Sequence, residues 1–211
     1  MKNILVIGAN GKVGRTAIKY LVSTGKRVRA MIRSKEQVKE IQQLGAEAYL
    51  ADLETDFSGA FENIDCVIFT AGSGSHTGPD KTILVDQEGA KKSIDYAVQV
   101  GIQKYIMVSA QGARDPEIPG KIQHYYKAKR IADDYLIKSG MKYTIFRPGK
   151  LLDNKRNPGI KVSEYFEDKG TTCRNSLAIA ITESIDISNT DCRTLEIFDG
   201  KRNIPEALNT I

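Results

Sequence analysis

Ile4-Leu5-Val6-Ile7-Gly8-Ala9-Asn10-Gly11-Lys12-Val13-Gly14 lies three residues into the chain. The first four of these residues are apolar with no polar alternation, the pattern of a central parallel strand buried on both faces. Gly8, Gly11 and Gly14 then recur at intervals of three. Glycines there let the chain turn tightly into a helix and let backbone approach a pyrophosphate. The free N–H groups and positive dipole end of the helix then hold the phosphates. Lys12 to Thr24 reads as that helix, with Val13, Ala17, Tyr20 and Leu21 inward. The stretch therefore predicts a dinucleotide site formed by Gly8, Asn10, Gly11, Lys12, Val13 and Gly14. Its spacing is Gly-x-x-Gly-x-x-Gly rather than Gly-x-Gly-x-x-Gly. The alternative reading is a tight strand–helix turn with no ligand.

Gly25 ends the first helix and Arg27 to Ile32 is the second strand. An NAD site usually carries an acid at the end of this strand for the ribose hydroxyls. Here Arg33, Ser34 and Lys35 come first, and the first acid is Glu36. A guanidinium and a hydroxyl suit a 2′-phosphate, so Arg33 favours NADP over NAD. The other reading makes Arg33 and Lys35 the start of a solvated helix. Lys35 to Leu44 is a helix and Ala46 to Leu50 a third strand, followed by Asp52 and Leu53. Asp52 either accepts from the adenine amino group or caps a turn. Ile64 to Phe69 is a fourth strand, ending in Thr70-Ala71-Gly72-Ser73-Gly74. The small residues Ala71, Gly72 and Ser73 let a ligand lie against backbone. Ser75 to Asp80 reads as a polar loop.

Thr82 to Val100 reads as one long helix, with Leu84, Ala90, Ile94 and Ala97 buried. Asp86 on it either faces the cleft or is exposed. Ile102 to Val108 is the fifth strand, with Ser109 and Ala110 at its carboxyl end, the edge where open α/β sheets bind ligands. After a loop from Gln111 to Gly120, a helix carries Tyr125 and Lys129 one turn apart, with Ile131, Ala132, Tyr135 and Leu136 packing it. An ammonium beside a phenol lowers the phenol pKa and makes the tyrosine a usable proton donor. The competing reading has Tyr125 packing the helix while Lys129 points to solvent with Lys127 and Arg130. Lys142 to Phe146 is a sixth strand, closed by Arg147-Pro148-Gly149. Lys150 to Ile160 reads as a loop over the cleft, Asn175 to Ile187 as a helix, Thr194 to Phe198 as a last strand, and Pro205 as the start of a short helix. The expected architecture is a doubly wound, mostly parallel α/β sheet. Residues 1–148 form a nucleotide-binding core. Residues 149–211 form a small substrate-side lobe whose last strand and helix return to that core.

The chain has 211 residues, 41% of them apolar and 27% charged, with a net charge of +5. Its basic residues are scattered, which points away from nucleic acid, and no stretch is apolar enough to span a membrane. Cys66, Cys173 and Cys192 lack metal-like spacing and imply a reduced compartment, so the expectation is a cytoplasmic monomer or homodimer with no metal.

Together, Gly8-x-x-Gly11-x-x-Gly14, Arg33, Asp52-Leu53, Ala71-Gly72-Ser73-Gly74, Tyr125-x-x-x-Lys129 and Thr144-Ile145-x-Arg147-Pro148-Gly149 resemble the short-chain dehydrogenase/reductase superfamily in its atypical NAD(P)-binding branch. The run from His76 to Asp86 is similar to a signature of its epimerase-like bacterial subgroup. The resemblance implies that Ser109 polarises a substrate carbonyl, Tyr125 passes a proton, and Lys129 assists it and holds the cofactor ribose. The subgroup's late Arg-x-Asp-Val-Ala-like stretch is matched here by Arg174-Asn175-Ser176-Leu177-Ala178, which lacks the acid. Two functions follow: an NADP-dependent oxidoreductase or epimerase-like enzyme acting on a small carbonyl or hydroxyl compound, or a cofactor-binding redox sensor without turnover. A third reading keeps the fold as an interaction scaffold.

Overall fold

The structure, a computed structural model, describes residues 2–74, 77–153 and 159–211. In β1 (Asn3–Ile7), successive apolar side chains alternate between faces and all four from Ile4 onward are buried. Ile4 and Val6 enter one core, and Leu5 and Ile7 enter the other. The sheet therefore has helices on both faces. α1 (Lys12–Ser23) and α6 (Arg174–Glu183) cover the first face, together with α2 (Val38–Gln43) and α7 (Ile204–Asn209). α4 (Ala90–Val100) and α5 (Gln123–Lys138) cover the second.

Eight strands form the main sheet in the order β3-β2-β1-β4-β5-β6-β10-β8. The members not yet placed are β2 (Arg27–Ile32), β3 (Glu47–Leu50), β4 (Cys66–Phe69), β5 (Lys104–Val108), β6 (Tyr143–Pro148), β8 (Gly159–Ser163) and β10 (Arg193–Gly200). Every pairing is parallel except β8 on β10. The chain is thus a mostly parallel, doubly wound α/β fold. The order reverses beside β1, where the chain passes from β3 at one edge back to β4, and ligands bind at such a switch point. β7 (Lys150–Leu152) pairs with β9 (Thr171–Cys173) as a second, two-stranded sheet.

Three readings need correction. The loop expected over 150–160 contains β7 and the start of β8, while 154–158 lie outside the described residues. The helix expected over Thr82 to Val100 is not uniform: a short turn, α3 (Pro79–Lys81), leads into a π-helical segment, Thr82–Gly89, before α4. The wider π turn shifts the helical phase, so Leu84 is exposed and Asp86 is fully buried. On α5, Ile131, expected to pack the helix, is exposed, while Lys129 is buried, against the competing reading that pointed it to solvent. Of the His76–Asp86 run, Thr77 onward is described; Ser75 and His76 lie outside the described residues.

Candidate functional site

The turn after β1 is built by close approach. Gly8 has φ +82°, and a Cβ there would fall 2.5 Å from the Ala71 nitrogen. A Cβ on Gly14 would fall 2.5 Å from the Gly8 carbonyl oxygen. Only glycine at both positions lets α1 and the end of β4 close on the turn. α1 starts behind Gly11 without a side-chain cap and with no acid in its first turn. Its N-terminus therefore retains backbone donors and an uncompensated positive end.

A cavity of about 290 Å³ opens beside this turn. It is lined by Gly8, Asn10 and Gly11 from the turn, Arg33 and Gln37 after β2, Asp52 and Leu53 after β3, and Ala71 and Gly72 after β4. The volume lies near the lower end of small-molecule sites. Lys12, Val13, Gly14, Ser73 and Lys129, also expected at the cofactor, do not line it. Val13 is buried in the core, and Lys12 pairs with Asp153 at 2.5 Å. Asp52 serves a turn, its Oδ1 accepting from the Glu54 N–H at 2.9 Å, and it also lines the cavity. Arg33 is exposed and has no hydrogen bond or ion pair among the described residues. The Ser34 hydroxyl, expected beside it, instead donates to the Glu36 carboxylate, which lies below the usual carboxylate range because of that bond.

The catalytic candidates lie past the Ala71–Gly72 end of the cavity, in a cluster of buried charges. Lys129 Nζ stands 3.0 Å from Asp86 Oδ1 and donates to the carbonyls of Ala71 at 3.2 Å and Val108 at 3.4 Å. Asp86 Oδ2 accepts from the Ser73 N–H at 2.8 Å. Asp86 Oδ1 faces the ammonium as an ion pair but outside hydrogen-bond geometry, and has no hydrogen-bond partner among the described residues. Burial alone would push the Lys129 ammonium down; Asp86, then Tyr125 and Asp133, carry it above the ordinary lysine value. The same ammonium lies 5.7 Å from the centre of the Tyr125 ring. The expected lowering of the Tyr125 phenol is corrected here: burial raises it, and the opposing pull of Lys129 is the smaller effect.

Ser109 is buried, and its hydroxyl donates to Asp133 Oδ2 at 2.9 Å. Arg147 Nε and one terminal guanidinium nitrogen reach that same oxygen, each at 2.9 Å. Asp133 Oδ1 has no hydrogen-bond partner among the described residues. Burial pushes the Asp133 carboxyl up to about 6, against the pull of Arg147 and Ser109. At neutral pH the carboxylate accepts the hydrogen bond from the Ser109 O–H, so Ser109 offers lone pairs rather than a donor to anything placed beside it. Asp133 was not singled out in the sequence, although it lies one turn beyond Lys129 in the same helical register, which was the available signal.

The NAD(P)H-binding family profile matches residues 8–187. The chain belongs to the NAD(P)H-binding family. A relative in Bacillus subtilis, named an uncharacterized sugar epimerase, is 38% identical over 213 residues, covering 99% of each chain. A solved structure from Bacillus halodurans, named as a candidate NAD-dependent epimerase/dehydratase, is 41% identical, covers 100% of both chains and superposes with a TM-score of 0.97. A structure named an oxidoreductase, from Lactococcus lactis, is 26% identical, covers 99% of this chain and 96% of its own, and gives a TM-score of 0.88. These relatives fit an atypical short-chain dehydrogenase/reductase. The NAD(P)H-binding family is thus an oxidoreductase or epimerase-like one. The residues fit its cofactor: an uncapped helix start, the Gly8–Gly11 backbone and a guanidinium with no partner among the described residues all border one cavity. Among the described residues, no helix is long and apolar enough to cross a membrane.

Proposed function

We propose that the protein is an NADP-dependent oxidoreductase acting on a small carbonyl or hydroxyl compound. The observation that carries the cofactor preference is Arg33, a guanidinium on the wall of the cavity without a partner among the described residues, with no acid of the β2 end lining that cavity. The α1 N-terminus and the Gly8–Gly11 backbone would hold the pyrophosphate, and Asp52, Leu53, Ala71 and Gly72 the adenosine side. When bound, the cofactor supplies a hydride donor or acceptor. Tyr125 is the proton-passing group, and Lys129, held by Asp86, keeps a positive charge beside it. Ser109, its proton directed to Asp133, accepts from a substrate hydroxyl. With its phenol raised by burial, Tyr125 carries its proton at neutral pH and suits donation to a substrate carbonyl oxygen.

One observation favours the second reading, an NADP-binding sensor. Ser109 and Lys129 are both committed to buried carboxylates. Calorimetric titration with NADPH and NADH, followed by a screen of alcohols with NADP⁺ and of carbonyl compounds with NADPH, separates the readings. Expected are tighter binding of NADPH and turnover that Tyr125→Phe lowers by about 10²–10⁴-fold, the usual contribution of a positioned proton-transfer group. Tight NADPH binding with no turnover across the screen would replace the enzyme with the sensor.

A further inference from the structure

A second cavity, of about 550 Å³, shares no lining residue with the first. Lys150 of β7, Lys161 of β8 and Lys169 just before β9 line it, with Thr171, Phe198 and Asp199. Close packing brings these residues together. A Cβ on Gly149 would collide with the Gly170 carbonyl, and a Cβ on Gly170 with the Phe198 ring. β7 therefore lies against the chain entering β9, with the Lys150 N–H bonded to the Gly170 carbonyl at 2.9 Å. Lys161 stands opposite Phe198 in the antiparallel register of β8 on β10. Its ammonium lies 5.1 Å from the centre of the Phe166 ring and 5.4 Å from that of Phe198. β10 runs parallel to β6, with Ile197 beside Pro148. The cavity therefore sits at the carboxyl edge of the sheet, the edge where open α/β folds bind ligands.

The charges of this cavity are unbalanced. None of the three lysines is within ion-pair distance of a carboxylate among the described residues. Arg174 and Arg193 of the same lobe are, at 2.7 Å from Asp153 and 2.9 Å from Glu164. The acid of the cavity, Asp199, is committed to β9: its Oδ1 accepts from the Cys173 N–H at 2.7 Å and its Oδ2 from the Thr171 hydroxyl at 3.4 Å. Three ammonium groups against one carboxylate leave an excess of two positive charges beside a buried ring, Phe198 being 1% exposed. Like charges around a concave site with an apolar wall focus their field on an anion placed among them. A phosphate monoester, with about two negative charges at neutral pH, matches that excess. Lysines bind phosphate as point charges. The Cα atoms of Lys150 and Arg147 are at most about 11 Å apart along the chain, so the cavity adjoins the cluster of Arg147, Asp133 and Ser109.

We infer that Lys150, Lys161 and Lys169 bind the phosphate group of a small phosphorylated compound at the carboxyl edge of β10. Lys150 and Lys169 hold it from the two-stranded sheet, and Lys161 from the edge of the main sheet. Taking that compound as the substrate rests on the proposed function; its binding here does not.

The test reads binding, not turnover. Glycerol 3-phosphate, inorganic phosphate and glycerol are titrated at physiological ionic strength into the protein, with and without saturating NADPH, and backbone amide shifts are followed by NMR. Glycerol 3-phosphate should move the Gly170, Thr171 and Asp199 amides whether or not NADPH is present, and glycerol should not. The double variant Lys150→Ser/Lys161→Ser should weaken glycerol 3-phosphate by about tenfold or more. Both lysines are exposed, so its unfolding midpoint and its affinity for NADPH should match the parent's. Unchanged glycerol 3-phosphate affinity in the double variant overturns the inference, as do shifts confined to the glycine turn after β1. Binding of inorganic phosphate with exclusion of glycerol 3-phosphate also overturns it, since the site then takes a free anion only. A parent that binds glycerol 3-phosphate at these amides but does not bind NADPH leaves the inference standing and overturns the proposed function.

Discussion

The two ends of the site are made of different materials. At the β1–α1 end the working parts are backbone: a glycine turn, an uncapped helix start and a wall of small and apolar residues, with Arg33 reaching in from solvent. At the β4–β5–β6 end they are charged side chains withdrawn from water: Asp86 with Lys129, and Asp133 with Arg147. The first end depends on what cannot be added, because a Cβ on Gly8 or Gly14 collides with backbone. The second depends on what cannot be removed, because each buried charge needs its partner. The chain therefore spends conformational freedom at one end and solvation at the other.

The sharpest way to break the comparison is at Lys129. Lys129→Met leaves the buried Asp86 side chain without its countercharge, and should destabilise the fold by about 3–5 kcal/mol in denaturant unfolding. Adding Asp86→Asn removes the stranded charge while preserving an acceptor for the Ser73 N–H. The double variant should therefore be more stable than Lys129→Met alone by at least about 1 kcal/mol. A loss below about 1 kcal/mol in the single variant would show that the pair is solvated and the contrast false.

Asp133 tests the same end through pH. Its carboxyl is raised from 3.8 to about 6 by burial, so the folded state holds the proton more tightly than the unfolded chain does. Stability from this group is then greatest at low pH and falls as pH rises from about 4 through about 6. Relative to Asp133→Asn, the parent should lose roughly 2–3 kcal/mol between pH 4 and pH 7.5. A stability difference that stays flat over that range would mean that Asp133 is ionised throughout and well compensated by Arg147.

At the first end the expected effect is smaller and leaves the fold alone. Arg33 is exposed and without a partner among the described residues, so Arg33→Ala should shift unfolding by less than about 0.5 kcal/mol. It should weaken NADPH by about 1–3 kcal/mol, the worth of a charge-assisted hydrogen bond, and hardly change NADH. Equal losses for both cofactors would show that Arg33 does not read the 2′ position.

What was legible in the sequence follows the same division. Strand β1, the glycine turn and the sheet's parallel character rest on local rules: an apolar run without alternation, and residues that only glycine can replace. These determined the fold class and placed Gly8, Gly11, Arg33, Asp52 and Ala71 around one cavity. The charged cluster was not legible, because each of its pairs joins residues far apart in the chain: Asp86 with Lys129, and Ser109 and Arg147 with Asp133. Asp86 carried a further obstacle. Helical periodicity read from one sequence assumes 3.6 residues per turn, and the π-helical segment breaks that phase where it turns Asp86 inward and Leu84 out. Backbone chemistry is written locally and could be read from residue order. Burial of charge is a property of the closed fold, and only the packed structure decided which side chains bear it.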